Sequence, residues 1–179
     1  MAGTDPQDLY LLAQEYLAAC VEALDTIPTF APGLGGAPAR SFVSPGLPAF
    51  DCCDPGQLTV HVTGVTDSIT APSNFTGRSA STMKVNTVGL VATAIRCVPV
   101  ISDSGIIPSM ADMEAAAEQI DADGWALWNH IYNLIRADQL FTLCGEVFWD
   151  GLRSINPQGG CGGFTLALRV ELSGYEESL

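Results

Sequence analysis

Thr87 to Val100 (TVGLVATAIRCVPV) is apolar on both of its alternating faces, and few folds can accommodate such a stretch. One face carries Val88, Leu90, Ala92 and Ala94; the other carries Val91, Ile95 and Cys97, with Thr93 among them. This is the pattern of a strand covered on both sides, so the segment is read as a central strand. Arg96 is the exception, and Pro99 ends the ladder because proline has no backbone N–H to donate. Upstream, Gln57 to Val65 alternates Leu58, Val60 and Val62 against Thr59, His61 and Thr63, which predicts a half-buried hairpin partner. Downstream, Gly163 to Leu172 points Phe164, Leu166, Leu168, Val170 and Leu172 one way and Thr165, Arg169 and Glu171 the other. A three-stranded antiparallel sheet is the expected nucleus of the fold.

Two helices complete the pattern. Asp8 to Leu24 repeats apolar residues at Leu9, Leu12, Ala13, Tyr16, Leu17, Cys20, Val21 and Leu24, the spacing of one helix face. Thr4, Asp5 and Pro6 supply its start signal. A longer helix is predicted from Ser109, as N-cap with Asp112 three residues on, to about Ala137. Its apolar stripe is drawn through Met113, Ala117, Ile120, Gly124, Leu127, Trp128, Ile131, Leu134 and Ile135. Glu114, Glu118, Asp121 and Asp123 fall off that stripe and are expected to form an acidic outer surface. Asp138 to Cys144 reads as a short extra helical turn, Glu146 to Ile155 as a weak strand, and Asn156 to Gly163 (NPQGGCGG) as a turn. The expected class is α/β of the α+β kind: a small, mainly antiparallel sheet flanked by an N-terminal helix and one long central helix.

At 179 residues with 47% apolar and 15% charged side chains, the chain reads as one domain, residues 1–179, large enough to bury its own core. Two irregular stretches interrupt it. Thr26 to Pro55 carries six prolines and four glycines and is expected to be an extended wrap over residues 26–55, anchored by Phe30, Phe42, Val43 and Phe50. Thr66 to Lys84 is rich in Ser and Thr and reads as a long projecting loop over residues 66–84. Asn74, Phe75, Arg78 and Lys84 make it a candidate partner-binding arm, because basic residues are scarce in this chain. The acidic tail after Gly174 is expected to fray.

The formal charge of −13, from 20 acids against 7 bases, opposes any role that grips nucleic-acid phosphates. It leaves room for an acidic wall beside which DNA could slide. No secretory start and no apolar run of about 20 residues is visible, so a soluble protein made in a cytoplasm is expected. On that expectation the six cysteines, Cys20, Cys52, Cys53, Cys97, Cys144 and Cys161, are read as reduced thiols. Their spacings match no C-x-x-C zinc pattern. Neither His61 nor His130 sits in a motif that would make it the base for Cys97 or Cys161. The phosphate-loop, EF-hand and zinc-protease patterns are absent as well. The sequence therefore predicts no catalytic residue, metal or cofactor.

The order of elements, with AFDCCDPGQLTVHV from Ala49 leading into the first strand and NPQGGCGGFTLALRVEL opening the last, resembles the tail terminator proteins of long-tailed bacteriophages, particularly those infecting actinobacteria. The resemblance implies a structural virion protein of the neck, assembled in the host cytoplasm. It further implies a hexameric ring that caps the tail tube, joins it to the head-completion connector and lets DNA pass without specific binding. On that reading Glu114, Glu118, Asp121 and Asp123 are candidates to face the channel. A head-closure or connector protein is the neighbouring alternative; from another class, a small Cys-dependent hydrolase, marked by one fast-reacting thiol, is the alternative to exclude.

Overall fold

The computed structural model describes residues 6–27, 36–49, 56–69, 84–101 and 105–172. Among these residues the chain forms α1 (Pro6–Asp25), β1 (Arg40–Ser44), β2 (Gln57–Ile69), β3 (Lys84–Cys97), α2 (Met110–Arg136), β4 (Val147–Gln158) and β5 (Cys161–Glu171). The strands make one mixed sheet in the order β1-β2-β3-β5-β4. The fold is α+β, and the doubly apolar segment occupies the middle of the sheet as its pattern requires.

The predicted nucleus is present. β2 pairs antiparallel with β3, and β3 with β5, through unbroken register from Thr87 opposite Glu171 to Cys97 opposite Cys161. One face of this sheet meets both helices. Leu58 and Val60 of β2, Val88, Leu90, Ala92 and Ala94 of β3, and Leu166, Leu168 and Val170 of β5 form one core with Ala13, Tyr16, Cys20 and Leu24 of α1 and Leu127 and Ile131 of α2. Large aliphatic side chains taken fully out of water are worth about 1.5–3 kcal/mol each, which makes this layer the main source of stability. Tyr16 reaches through it to donate its hydroxyl to the Leu166 carbonyl at 3.1 Å.

The other face of the sheet is also covered at its centre. Gln57, Thr59, His61, Thr93 and Ile95 are all buried there. Gln57 donates from Nε2 to the carbonyl of Ala49 at 3.2 Å, so the chain after β1 crosses this end of the face. The Pro/Gly lead was expected to be an irregular wrap, yet it contains β1, paired parallel to β2 from Arg40 opposite Gln57 to Ser44 opposite His61. Five residues without clean alternation leave little periodic signal for such a strand. Of the expected anchors, Val43 packs against the core, Phe42 stays 37% exposed, and Phe30 and Phe50 lie outside the described residues.

α2 begins where its N-cap signal places it and ends at Arg136, next to the expected Ala137. Ser109 Oγ accepts from the Asp112 N–H at 3.1 Å. The Asp112 carboxylate accepts from the Ser109 hydroxyl at 2.6 Å, so the capping box is not reciprocal. At the other end Gln139 N–H bonds to the Leu134 carbonyl and Asp138 N–H to that of Ile135. With Asp138 at φ 54, this is a Schellman ending with an aspartate in the left-handed position usually held by glycine. The extra helical turn expected at Asp138–Cys144 is therefore absent. Those residues turn back so that Phe141 docks on Tyr16, ring centroids 6.0 Å apart, with its N–H held by Glu15 Oε1 at 2.7 Å.

The expected turn at Asn156–Gly163 is far shorter than drawn. β4 continues to Gln158, β5 starts at Cys161 opposite it, and Gly159 and Gly160, at φ 58 and 84, form the two-residue turn by themselves. The 66–84 loop is shorter too, since β2 extends to Ile69 opposite Lys84.

Candidate functional site

No group of three or more His, Cys, Asp and Glu residues suited to a metal occurs among the described residues. The imagined Cys–His pairs do not form either. His61 stands opposite Val91, six positions along β3 from Cys97, or about 20 Å at strand rise. His130 has its Nε2 3.7 Å from the Glu22 carboxylate. Burial pushes the thiols of Cys20 and Cys144 up, away from nucleophilic use, and the neighbouring Glu15 carboxylate adds to the effect on Cys144.

Cys161 corrects the expectation of reduced thiols throughout: it is disulfide-bonded, through a partner outside the described residues, whereas Cys20, Cys97 and Cys144 are thiols. Spacing could not reveal this bond, because non-local folding alone brings its two halves together.

The acidic surface on α2 is real for three of its four members. Glu114, Glu118 and Asp121 are exposed, but Asp123 is buried against Arg96 and cannot face a channel. Arg96 Nε donates to Asp123 Oδ2 at 2.6 Å and Nη2 to Oδ1 at 3.3 Å, while Gln119 Nε2 donates to the same Oδ1 at 3.2 Å. Arg96 Nη2 also donates to the carbonyl of Gly36 at 2.6 Å, clamping the loop before β1 to this cluster. Burial raises the Asp123 carboxyl above its usual value, against the opposing pull of Arg96 and Gln119. The first half of α2 is consequently rotated from the expected stripe. Ala116, Gln119 and Asp123 turn inward in place of Met113 and Ala117, and Gly124 packs against the Phe164 ring.

Large apolar side chains ahead of α2 and in its first turn stand in water. Val100, Ile101, Ile106, Ile107, Met110 and Met113, on the connector from β3 and the first turn of α2, are each at least 49% exposed. The connector leaves the sheet where β3 ends and the β4–β5 turn lies, and Val98 N–H donates to the Gly160 carbonyl there. Asp112 and Glu114 border the patch. Sequence reading missed it because the run, broken by Pro99 and Pro108, has neither strand nor helix periodicity. Exposed apolar side chains grouped in one stretch of chain make this connector a candidate interface.

The β4 edge of the sheet is a poorer docking site. β4 is one edge, and it is bulged at Trp149/Gly151 and at Ile155/Gln158 and carries Pro157 and Arg153. These features discourage strand addition. Asn74, Phe75 and Arg78 of the candidate arm lie outside the described residues; Lys84 begins β3. Compared with known proteins, the chain matches no family model and no curated protein sequence.

Proposed function

We propose that this chain is a tail terminator of a long-tailed bacteriophage, a structural protein of the virion neck. It closes into a hexameric ring on the tail tube and presents its other side to the head-completion connector. The observation that carries this reading is the exposed apolar run from Val100 to Met113 at one end of the sheet. A patch of this kind, on a chain whose β4 edge is blunted, favours end-on contacts between unlike surfaces, and such head-to-tail contacts close into rings when the rotation permits. The exposed carboxylates of Glu114, Glu118 and Asp121, in a chain of net charge −13, supply a surface that DNA phosphates would not hold. The 70–83 segment, with Arg78, and Lys84 at its base, would then serve as the arm that reaches an acidic neighbour.

Sedimentation velocity of the purified protein, alone and with tail-tube protein, combined with negative-stain images, tests the proposal. The expected outcome is a closed ring seated on one end of the tube. A strict monomer under both conditions would overturn it.

A further inference from the structure

α2 turns one line of side chains straight away from the core. Its buried residues include Ala116, Gln119, Asp123, Leu127 and Ile131. At about 3.6 residues per turn, a residue two positions from one of these lies about 200° around the helix, on its far side. Glu114, Glu118, Asp121 and Trp125 occupy that side, and all are exposed. Asn129, Tyr132 and Arg136 continue the same line to the last residue of the helix, again exposed. Trp125 is 11 residues from Glu114 and 11 from Arg136. A repeat of that length is close to the helix period, so the line runs nearly parallel to the axis.

The chemistry along this line is ordered. Carboxylates hold its first three places, Trp125 its middle, and hydrogen-bond donors its last three: the Asn129 amide, the Tyr132 hydroxyl and the Arg136 guanidinium. The helix dipole accounts for acids near the start and a base at the end. It does not account for Trp125, left 57% exposed, or for Tyr132, left 39% exposed. Tyr132 is held in place by Trp149, with ring centroids 6.0 Å apart, and by the Arg136 guanidinium 5.7 Å above its ring. Trp, Tyr and Arg are the side chains that dominate contacts between proteins.

Turned end for end about Trp125, the line is its own complement. A second α2 laid antiparallel on the first sets Glu114 opposite Arg136, Glu118 opposite the Tyr132 hydroxyl, Asp121 opposite the Asn129 amide, and Trp125 against its own equivalent. Every carboxylate then meets a donor, and two-fold symmetry makes each of these pairings twice. A parallel arrangement would set acid on acid instead.

We propose that the free protein forms a two-fold dimer through antiparallel packing of α2 on α2, centred on Trp125. The occupant of this helix face is a second copy of the chain. The contact goes beyond the ring and uses none of the residues of the connector ahead of α2. It belongs to the chain before assembly, since carboxylates paired in it do not face a channel. One helix face is small beside the roughly 800 Å² per partner of a standard interface, so the dimer is weak and its population rises with concentration. Repulsion between two chains of net charge −13 is screened beyond about 8 Å at about 0.15 M salt, which leaves the close pairs to decide the fit.

Sedimentation velocity of the full-length protein at about 0.15 M salt, from low micromolar to near-millimolar concentration, reads the dimer. Glu114→Arg and Arg136→Glu, each alone, should weaken it by about tenfold or more, because each turns two attractions into two repulsions. The variant carrying both exchanges restores opposite charges at both places and should return to within about threefold of the wild type. Trp125→Ser should weaken the dimer by about tenfold or more. These side chains are exposed, and circular dichroism checks that each variant keeps the fold. The same series in an Ile107→Ser, Met110→Ser background, which removes the proposed ring contact, should give the same dimer. A chain that stays monomeric throughout, a dimer lost with that connector pair and kept with Trp125→Ser, or a double exchange that binds no tighter than either single one would overturn the proposal.

Discussion

Arg96 and Asp123 meet inside the protein, Nε to Oδ2 at 2.6 Å, with both side chains at most 3% exposed. The pair joins the central strand to α2 and, through Gly36, to the loop before β1. It explains why an arginine is tolerated in the apolar part of β3: Asp123 supplies the counter-charge to its guanidinium.

Asp123→Asn should therefore destabilise the fold by about 3–5 kcal/mol, because it removes the charge that the buried guanidinium reaches through both Nε and Nη2. The combined change Arg96→Met with Asp123→Leu should recover most of that loss, since removing both partners removes the desolvation cost as well. Urea unfolding of the wild type and both variants measures this. A double variant less stable than Asp123→Asn would show that the pair adds net stability of its own.

A Cβ at Gly163 would collide with the Ala94 carbonyl of the neighbouring strand. Backbone cannot swing aside as a side chain can, so Gly163→Ala should cost about 1–3 kcal/mol. Gly46→Ala, with open space around its would-be Cβ, is the control and should stay within about 0.5 kcal/mol. Thermal unfolding of the two variants gives the comparison.

His61 is buried, its Nδ1 has no hydrogen-bond partner, and desolvation lowers its pKa. A histidine depressed in the folded state binds its proton more readily when unfolded. Its contribution to stability is complete above the unfolded value of about 6.5 and is lost as pH falls through the folded value. Between about pH 7.5 and about pH 5, wild-type stability should fall more steeply than that of His61→Gln. Parallel slopes in urea titrations would assign the acid sensitivity to other groups.

Ile107 and Met110 are 76% and 80% exposed. Replacing both by serine should change the stability of the isolated chain by no more than about 0.5 kcal/mol each and abolish ring formation. Sedimentation velocity reads the outcome: a double variant that assembles like the wild type would remove this connector from the contact.

The amino-acid sequence by itself determined the elements whose signals are local. Alternation over β2, β3 and β5 is written in consecutive side chains, and the start of α2 is written in Ser109. The absence of nucleotide and metal motifs was legible in the same way. What pairs across distance was decided only by the tertiary structure. β1 is a strand because β2 offers it a parallel edge, and its five residues show no period of their own. Asp123 turned inward while Glu114, Glu118 and Asp121 stayed out, although all four are acids on one helix, because only Asp123 comes level with Arg96, 27 positions earlier. That single pairing rotated the first half of α2, buried Gln119 with it and left Met113 in water. Helical spacing assigns a residue to a face; which face is buried depends on what waits opposite, and a buried guanidinium outweighs a methionine because an unpaired charge in the interior costs more than an exposed apolar side chain.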